Sequence, residues 1–136
     1  MKNRVRAVII EKGKLLTIKR TKSDLAYWVI PGGGVEENET RKNALIRECR
    51  EELGVDVKIG KLILETESEK PETIDQKEYF YLVDIIDGVV GSGQGSEFQN
   101  NPEYSGQYDI KWIEIKDLPS IDLKPEIIKN LIYGYI

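Results

Sequence analysis

Residues Gly33 to Val55 read GGVEENETRKNALIRECREELGV. Within this stretch, Glu39 to Leu53 has the pattern of a helix, with Asn38 placed to cap it. Leu45, Cys49 and Leu53 recur every four residues and, with Ala44, form one apolar stripe. Gly54 stands where a left-handed C-cap belongs. The same helix carries Glu48, Glu51 and Glu52 at i, i+3 and i+4, so three carboxylates project from one face. They repel one another, and they crowd the helix end where negative charge is least favourable. Bound divalent cations offset both costs most simply. From spacing alone, the competing reading is a solvated face with Arg47 and Glu51 as an ordinary i,i+4 ion pair.

Upstream, Ala26 to Ile30 reads as a short strand that stops at Pro31. Gly32-Gly33-Gly34 then supplies a backbone free of side chains, able to bring a carbonyl against the same ions. Arg4 to Ile10 and Lys14 to Arg20 read as antiparallel strands about a tight turn at Glu11-Lys12-Gly13. Downstream, Val55 to Leu64, Lys77 to Ile86 and Tyr108 to Ile115 have strand patterns. Leu118-Pro119 reads as a turn, and Pro125 to Leu131 as a terminal helix with proline in its first turn. Gly88 to Gly106, with five glycines and Asn100-Asn101-Pro102, reads as one long loop beside a site or on the surface. The order of strands, helix, strands, helix predicts an α/β fold, a mixed sheet covered by helices.

A chain of 136 residues with 40% hydrophobic content suits one domain spanning residues 1–136. Twenty Lys and Arg against 24 Asp and Glu give a net charge of -4, which argues against coating polymeric nucleic acid but not against a nucleotide ligand. The absence of histidine removes Ser-His-Asp and Cys-His catalysis and His-ligated zinc. With oxygen ligands alone, the carboxylate face suits hard ions, Mg2+ or Mn2+. A single cysteine, Cys49, allows no intrachain disulfide. The opening MKNRVRAVII has too short an apolar run for a secretory signal, and no stretch approaches a membrane span of about 18 or more apolar residues. The expectation is a soluble cytoplasmic protein. No Gly-x-Gly-x-x-Gly opens a helix and no phosphate loop exists, which sets aside dinucleotide and P-loop folds.

The stretch from Gly33 to Val55 resembles the Nudix box: G, five residues, E, seven residues, R-E-U, one residue, E-E, one residue, G-U, with U apolar. Gly33, Glu39, Arg47-Glu48, Glu51-Glu52, Gly54 and Val55 fill the specified positions, and Cys49 fills the first U as a small buried residue. The lead-in Trp28-Val29-Ile30-Pro31-Gly32-Gly33-Gly34 and the later Trp112, Ile115, Asp117 and Leu118 are also similar to the family. The chain is therefore identified as a member of the Nudix, MutT-like hydrolases. The resemblance implies an α/β/α sandwich with a mixed sheet. It also implies hydrolysis of a nucleoside diphosphate linked to another group, by in-line attack of water on phosphorus. Glu48, Glu51 and Glu52 match the family's metal ligands, with Glu52 the most critical, and the Gly32 carbonyl resembles its backbone ligand. Arg47 resembles the residue that holds a box glutamate by ion pairing, and Glu39 the box's first glutamate, a structural group or a more distant metal contact.

In many relatives a glutamate outside the box orients or deprotonates the water. Glu103 and then Glu97 are the candidates here, with Glu78 a poorer third. Tyr27, Trp28, Tyr79, Tyr81 and Tyr108 are candidate aromatic walls for a base, and Arg4, Arg6, Lys19 and Arg20 candidate phosphate or ribose contacts. The expected substrate is a small nucleotide, either a (deoxy)nucleoside triphosphate or a compact nucleoside diphosphate derivative. ADP-ribose or a nucleotide sugar is the alternative within the class, and a non-catalytic nucleotide-binding regulator the alternative outside it. A homodimer is compatible with the chain's size.

Overall fold

The computed structural model describes residues 3–67, 76–91 and 107–135. Among the described residues, nine strands and two α-helices follow in order: β1 (Arg4–Val8), β2 (Ile10–Glu11), β3 (Lys14–Lys22), β4 (Leu25–Val29), β5 (Gly32–Gly34), α1 (Arg41–Leu53), β6 (Val55–Glu67), β7 (Lys77–Gly88), β8 (Gln107–Glu114), β9 (Leu123–Lys124) and α2 (Ile127–Ile132). Lys12 and Gly13 both take positive φ, 52° and 74°, between the paired residues Glu11 and Lys14. Two such angles close a two-residue hairpin whose twist matches its strands.

The first sheet runs β5-β1-β7-β6. It is mixed: β1 lies parallel to β7, while β5 on β1 and β6 on β7 are antiparallel. Alternation along its central strands sends side chains to two cores. Val5, Ala7, Tyr79, Tyr81 and Val83 pack with Ala44, Leu45, Cys49 and Leu53 of α1. Val8 and Phe80 pack on the other side with Leu15, Ile30, Leu118, Leu123, Ile128 and Ile132. Each of the fully buried Leu45 and Leu53 contributes about 1.5–3 kcal/mol relative to an exposed side chain. With α1 on one face and α2 on the other, the arrangement is the expected α/β/α sandwich. A second sheet, β2-β3-β4-β9 with β8 on β3, joins α2 on that far side. No helix among the described residues is long and apolar enough to cross a membrane.

Several boundaries depart from the sequence reading for identifiable reasons. The helix begins at Arg41, not Glu39, and its cap is Thr40, not Asn38. Thr40 is extended and its side chain accepts from the Asn43 N–H at 3.1 Å. Asn38 instead takes φ 67° in the preceding turn, and the Glu39 carboxylate closes that turn by accepting from the Glu36 N–H. The strand from Val55 extends to Glu67 because its antiparallel pairing with β7 continues, through register shifts, to Lys77. β7 runs on to Gly88, which takes the start of the expected loop. Ile115–Ser120 forms a 3-10 helix containing the expected Leu118-Pro119 turn. Pro125 precedes the terminal helix, its carbonyl accepting from the Ile128 N–H.

Candidate functional site

Gly54 ends α1 with φ 77°, its N–H donating to the Cys49 and Arg50 carbonyls. This cap, together with the apolar stripe, fixes the rotation of α1 on the sheet. The opposite consequence of the same rotation is that Glu48 and Glu52 point at the glycine strand β5. Glu52 is 4% exposed, and its Oε1 accepts from the Gly32 N–H at 2.9 Å. The Glu48 carboxyl lies against Gly33, so close that a Cβ on Gly33 would stand 2.4 Å from it. Gly32 is tighter still: with φ 152°, a Cβ there would meet the Val5 carbonyl oxygen at 1.9 Å. Two glycines are thus required for different reasons, one by the sheet backbone and one by a carboxylate.

Arg47 organises the exposed side of the cluster. Its Nε and Nη2 donate to the two oxygens of Glu39 at 2.8 and 3.0 Å, a bidentate pairing. Nη1 donates to Glu48 at 3.0 Å and to Glu51 at 3.2 Å, and Nη2 also to the Gly34 carbonyl at 3.0 Å. The hydrogen bond from Arg47 holds the Glu39 carboxyl below the usual carboxylate range. Arg47 is in turn shifted upward, by the Glu39 hydrogen bond first and against the effect of its own burial. The sequence offered Arg47–Glu51 as a plain surface pair. That contact exists, but it is one branch of a fork that hydrogen-bonds three carboxylates and β5 and lies 3.8 Å from a fourth, Glu36.

The three box carboxylates share a face yet differ in exposure, with side-chain values of 12% for Glu48 and 51% for Glu51, and Glu52 nearly covered. Among the described residues no group of three acidic, histidine or cysteine side chains converges into an enclosed ion site. Arg47 Nη1 draws Glu48 and Glu51 to one nitrogen, while Glu52 turns to the Gly32 N–H. The donor chemistry nonetheless fits a hard divalent cation: carboxylate oxygens and backbone carbonyls, gathered where glycine leaves no side chain in the way. Cys49 is no ligand. It is 1% exposed, and burial, followed by the charges of Glu52 and Glu48, pushes its thiol up to about 12.

Glu97 and Glu103 lie outside the described residues. Glu78 lies on β7 on the face turned away from α1, where its carboxylate accepts from Arg6 Nε at 2.9 Å. Both partners are buried. Sequence reasoning named each of them separately, as a base and as a phosphate contact, and missed that they pair. The signal was present: Arg4 and Arg6 alternate with Val5 and Ala7, and that polar face is covered because both sides of the sheet are. Arg4 is pulled below its ordinary value by burial, then by the charge of Arg6. Arg6, Glu78, Val29, Thr66, Glu67, Lys124 and Pro125 line a cleft of about 30 Å³. Of the aromatic candidates, Tyr79 and Tyr81 belong to the α1-side core. Trp28, Tyr108 and Tyr27 lie on the second sheet against Lys19, Arg20 and Lys124, with cation-to-ring distances of 5.3, 4.7 and 5.9 Å.

Comparison with known proteins identifies the family. Residues 1–132 match the family model for the NUDIX domain. The CTP pyrophosphohydrolase of Escherichia coli K12 is 33% identical over 112 residues, 78% of this chain and 80% of that protein. The nucleoside triphosphatase NudI of the same organism is 33% identical over 108 residues, 76% and 73% of the two chains. The solution structure of the E. coli ORF135 protein superposes with a TM-score of 0.67 at 26% identity, covering 99% of this chain and 89% of its own. With its box carboxylates set against a glycine strand and the match running nearly end to end, this chain belongs to the NUDIX family of hydrolases.

Proposed function

We propose that the chain, acting as one catalytic domain over residues 1–136, hydrolyses a (deoxy)nucleoside triphosphate or a compact nucleoside diphosphate derivative. Hydrolysis of a nucleotide pyrophosphate bond is the reaction of its family, and the named relatives act on CTP and on nucleoside triphosphates. Those names favour a triphosphate over ADP-ribose or a nucleotide sugar. The observation that carries the site assignment is the pair of carboxylates set against the glycine strand, Glu52 buried on Gly32 and the half-buried Glu48 on Gly33. Glu48, Glu51, Glu52 and the Gly32 carbonyl would hold Mg2+, or Mn2+ in its place. The bound ion supplies charge neutralisation on the phosphoryl oxygens and a lowered pKa for its water.

The chain's own residues do the rest. The Gly32 N–H fixes one oxygen of Glu52, leaving its orientation set before any ligand arrives. Arg47 holds Glu48 and Glu51 through one nitrogen while Glu39 anchors the opposite edge of its guanidinium. Such outer contacts limit how far the ligand carboxylates move between substrate and transition state. Glu103, with Glu97 second, is the proposed group that orients the attacking water. The nucleoside end is assigned to the cleft over Arg6 and Glu78. At about 30 Å³ it holds roughly one water, so the walls from β6 and from Lys124-Pro125 must part to admit a base.

The test is metal-dependent product release across a panel of normal and oxidised triphosphates, ADP-ribose and nucleotide sugars, with pyrophosphate, phosphate and nucleoside monophosphate read separately. Turnover of a triphosphate to monophosphate and pyrophosphate supports the reading. A preference for ADP-ribose would replace the substrate class, and no turnover with Mg2+ or Mn2+ across the panel would reject catalysis on these compounds.

A further inference from the structure

The segment Ile30-Pro31-Gly32 carries the backbone half of the proposed metal site, and its placement depends on β1. Gly32 is the register partner of Arg6, and the Pro31 carbonyl accepts from the Ala7 N–H at 2.8 Å. The Ile30 carbonyl accepts from Arg6 Nη1 at 3.1 Å. The Gly32 N–H, at the end of the segment, donates to Glu52. Pro31 has no N–H, so at that residue the backbone can be anchored only through its carbonyl. One of the segment's anchors is a side chain, Arg6, whose charge is met by the buried carboxylate of Glu78 at 2.9 Å.

From this geometry we infer that the buried Arg6–Glu78 pair is a positioning device for the metal ligands. It braces the Ile30–Gly32 segment from the cleft side and so sets the Gly32 carbonyl and the orientation of Glu52. The inference rests on the metal-site reading above. Its physical basis is directional. The planar guanidinium uses separate nitrogens, Nε for Glu78 and Nη1 for Ile30, so the carboxylate fixes the plane in which the backbone carbonyl is bound. A purely structural pair would be replaceable by apolar side chains of similar size without loss, and buried ion pairs often are. A positioning pair would not be, because its product is an orientation some residues away and not a packing contact.

That distinction defines the experiment. Wild type, the double variant Arg6→Met/Glu78→Met, Glu78→Gln and Arg6→Lys are compared by calorimetric titration with Mn2+ and by thermal unfolding in EDTA and in Mn2+. The double variant is expected to keep its melting temperature in EDTA but to bind Mn2+ about 10-fold or more weakly, the range in which outer partners of metal ligands act. Its metal-induced rise in melting temperature should shrink accordingly. Glu78→Gln keeps an acceptor for Nε and should lose less. Arg6→Lys keeps the charge without the planar fork; it should lose Mn2+ affinity too, and it decides the matter if the double variant does not fold. Unchanged Mn2+ affinity in a folded double variant, or in Arg6→Lys if the double variant is unfolded, overturns the inference while leaving the metal site standing. Wild-type protein that takes up no Mn2+ overturns the metal-site reading and this inference with it.

Discussion

The two sides of the first sheet handle charge in different ways. On the α1 side, Glu39, Arg47, Glu48, Glu51 and Glu52 come from one short stretch and one helix, and their network stays partly open to water. On the cleft side, Arg6 and Glu78 are 72 positions apart and are buried together as an ion pair. The first cluster is crowded with like charge and opens to water at Glu51, the setting in which a cation is proposed to bind. The second meets charge with charge inside the fold. The proposed chemistry and the buried pair thus lie on opposite faces of the same sheet, linked through the entry to β5, where Gly32 touches Glu52 and Ile30, two residues earlier, touches Arg6.

The sharpest way to break the α1 side is Glu52→Gln. The amide oxygen can still accept from the Gly32 N–H, so the fold should survive with a melting temperature near wild type. Activity should fall by more than about 100-fold, beyond the usual cost of losing an outer-shell partner. Full activity in a folded Glu52→Gln protein would remove Glu52 from the site.

Gly32 and Gly33 separate a backbone contact from a side-chain contact within two residues. Gly32→Ala drives a Cβ into the Val5 carbonyl and should cost about 3 kcal/mol or more, as severe overpacking does. Gly33→Ala meets only the end of the Glu48 side chain, which can move. It should lose activity and metal affinity with little loss of stability. Equal denaturation midpoints for the two variants would erase the distinction between them.

A smaller effect is expected at the cleft rim. Lys124→Met should raise KM for the preferred nucleotide by about 3- to 10-fold, roughly 1 kcal/mol for an exposed charged contact, with kcat little changed. A fall in kcat at constant KM would move Lys124 out of the substrate's ground-state contacts.

The smallest effect is electrostatic. Arg47 holds Glu39 below its ordinary value of 4.5, so the unfolded chain takes up that proton first as the solution is acidified. The contribution to stability is whole above the ordinary carboxylate range and is lost as pH falls through the lowered value. Unfolding of metal-free Glu39→Gln should therefore show a flatter acid limb than wild type, with the two curves approaching each other at the lowest pH. Parallel acid limbs would show that the Arg47–Glu39 contact carries no net stability.

Legibility in the sequence divides along the same line. The box helix, its apolar stripe and its glycine stop could be read directly, because a helix converts sequence spacing into a face without help from the rest of the chain. The cap was misread by two residues because Asn38 and Thr40 are both capping types, and only the turn closed by Glu39 decides between them. Tyr79 and Tyr81, candidates for a base wall, turned out to be core because the parity of β7 puts them under α1.

By itself, then, the sequence determined the family and the run of carboxylates along one helix face, since these depend on residue type and local spacing. Tertiary structure alone decided which carboxylate is covered, which glycine is backbone-locked, and that Arg6 meets Glu78. Those outcomes depend on strand order and register, and parallel pairing of β1 with β7 brings together residues that no local rule connects.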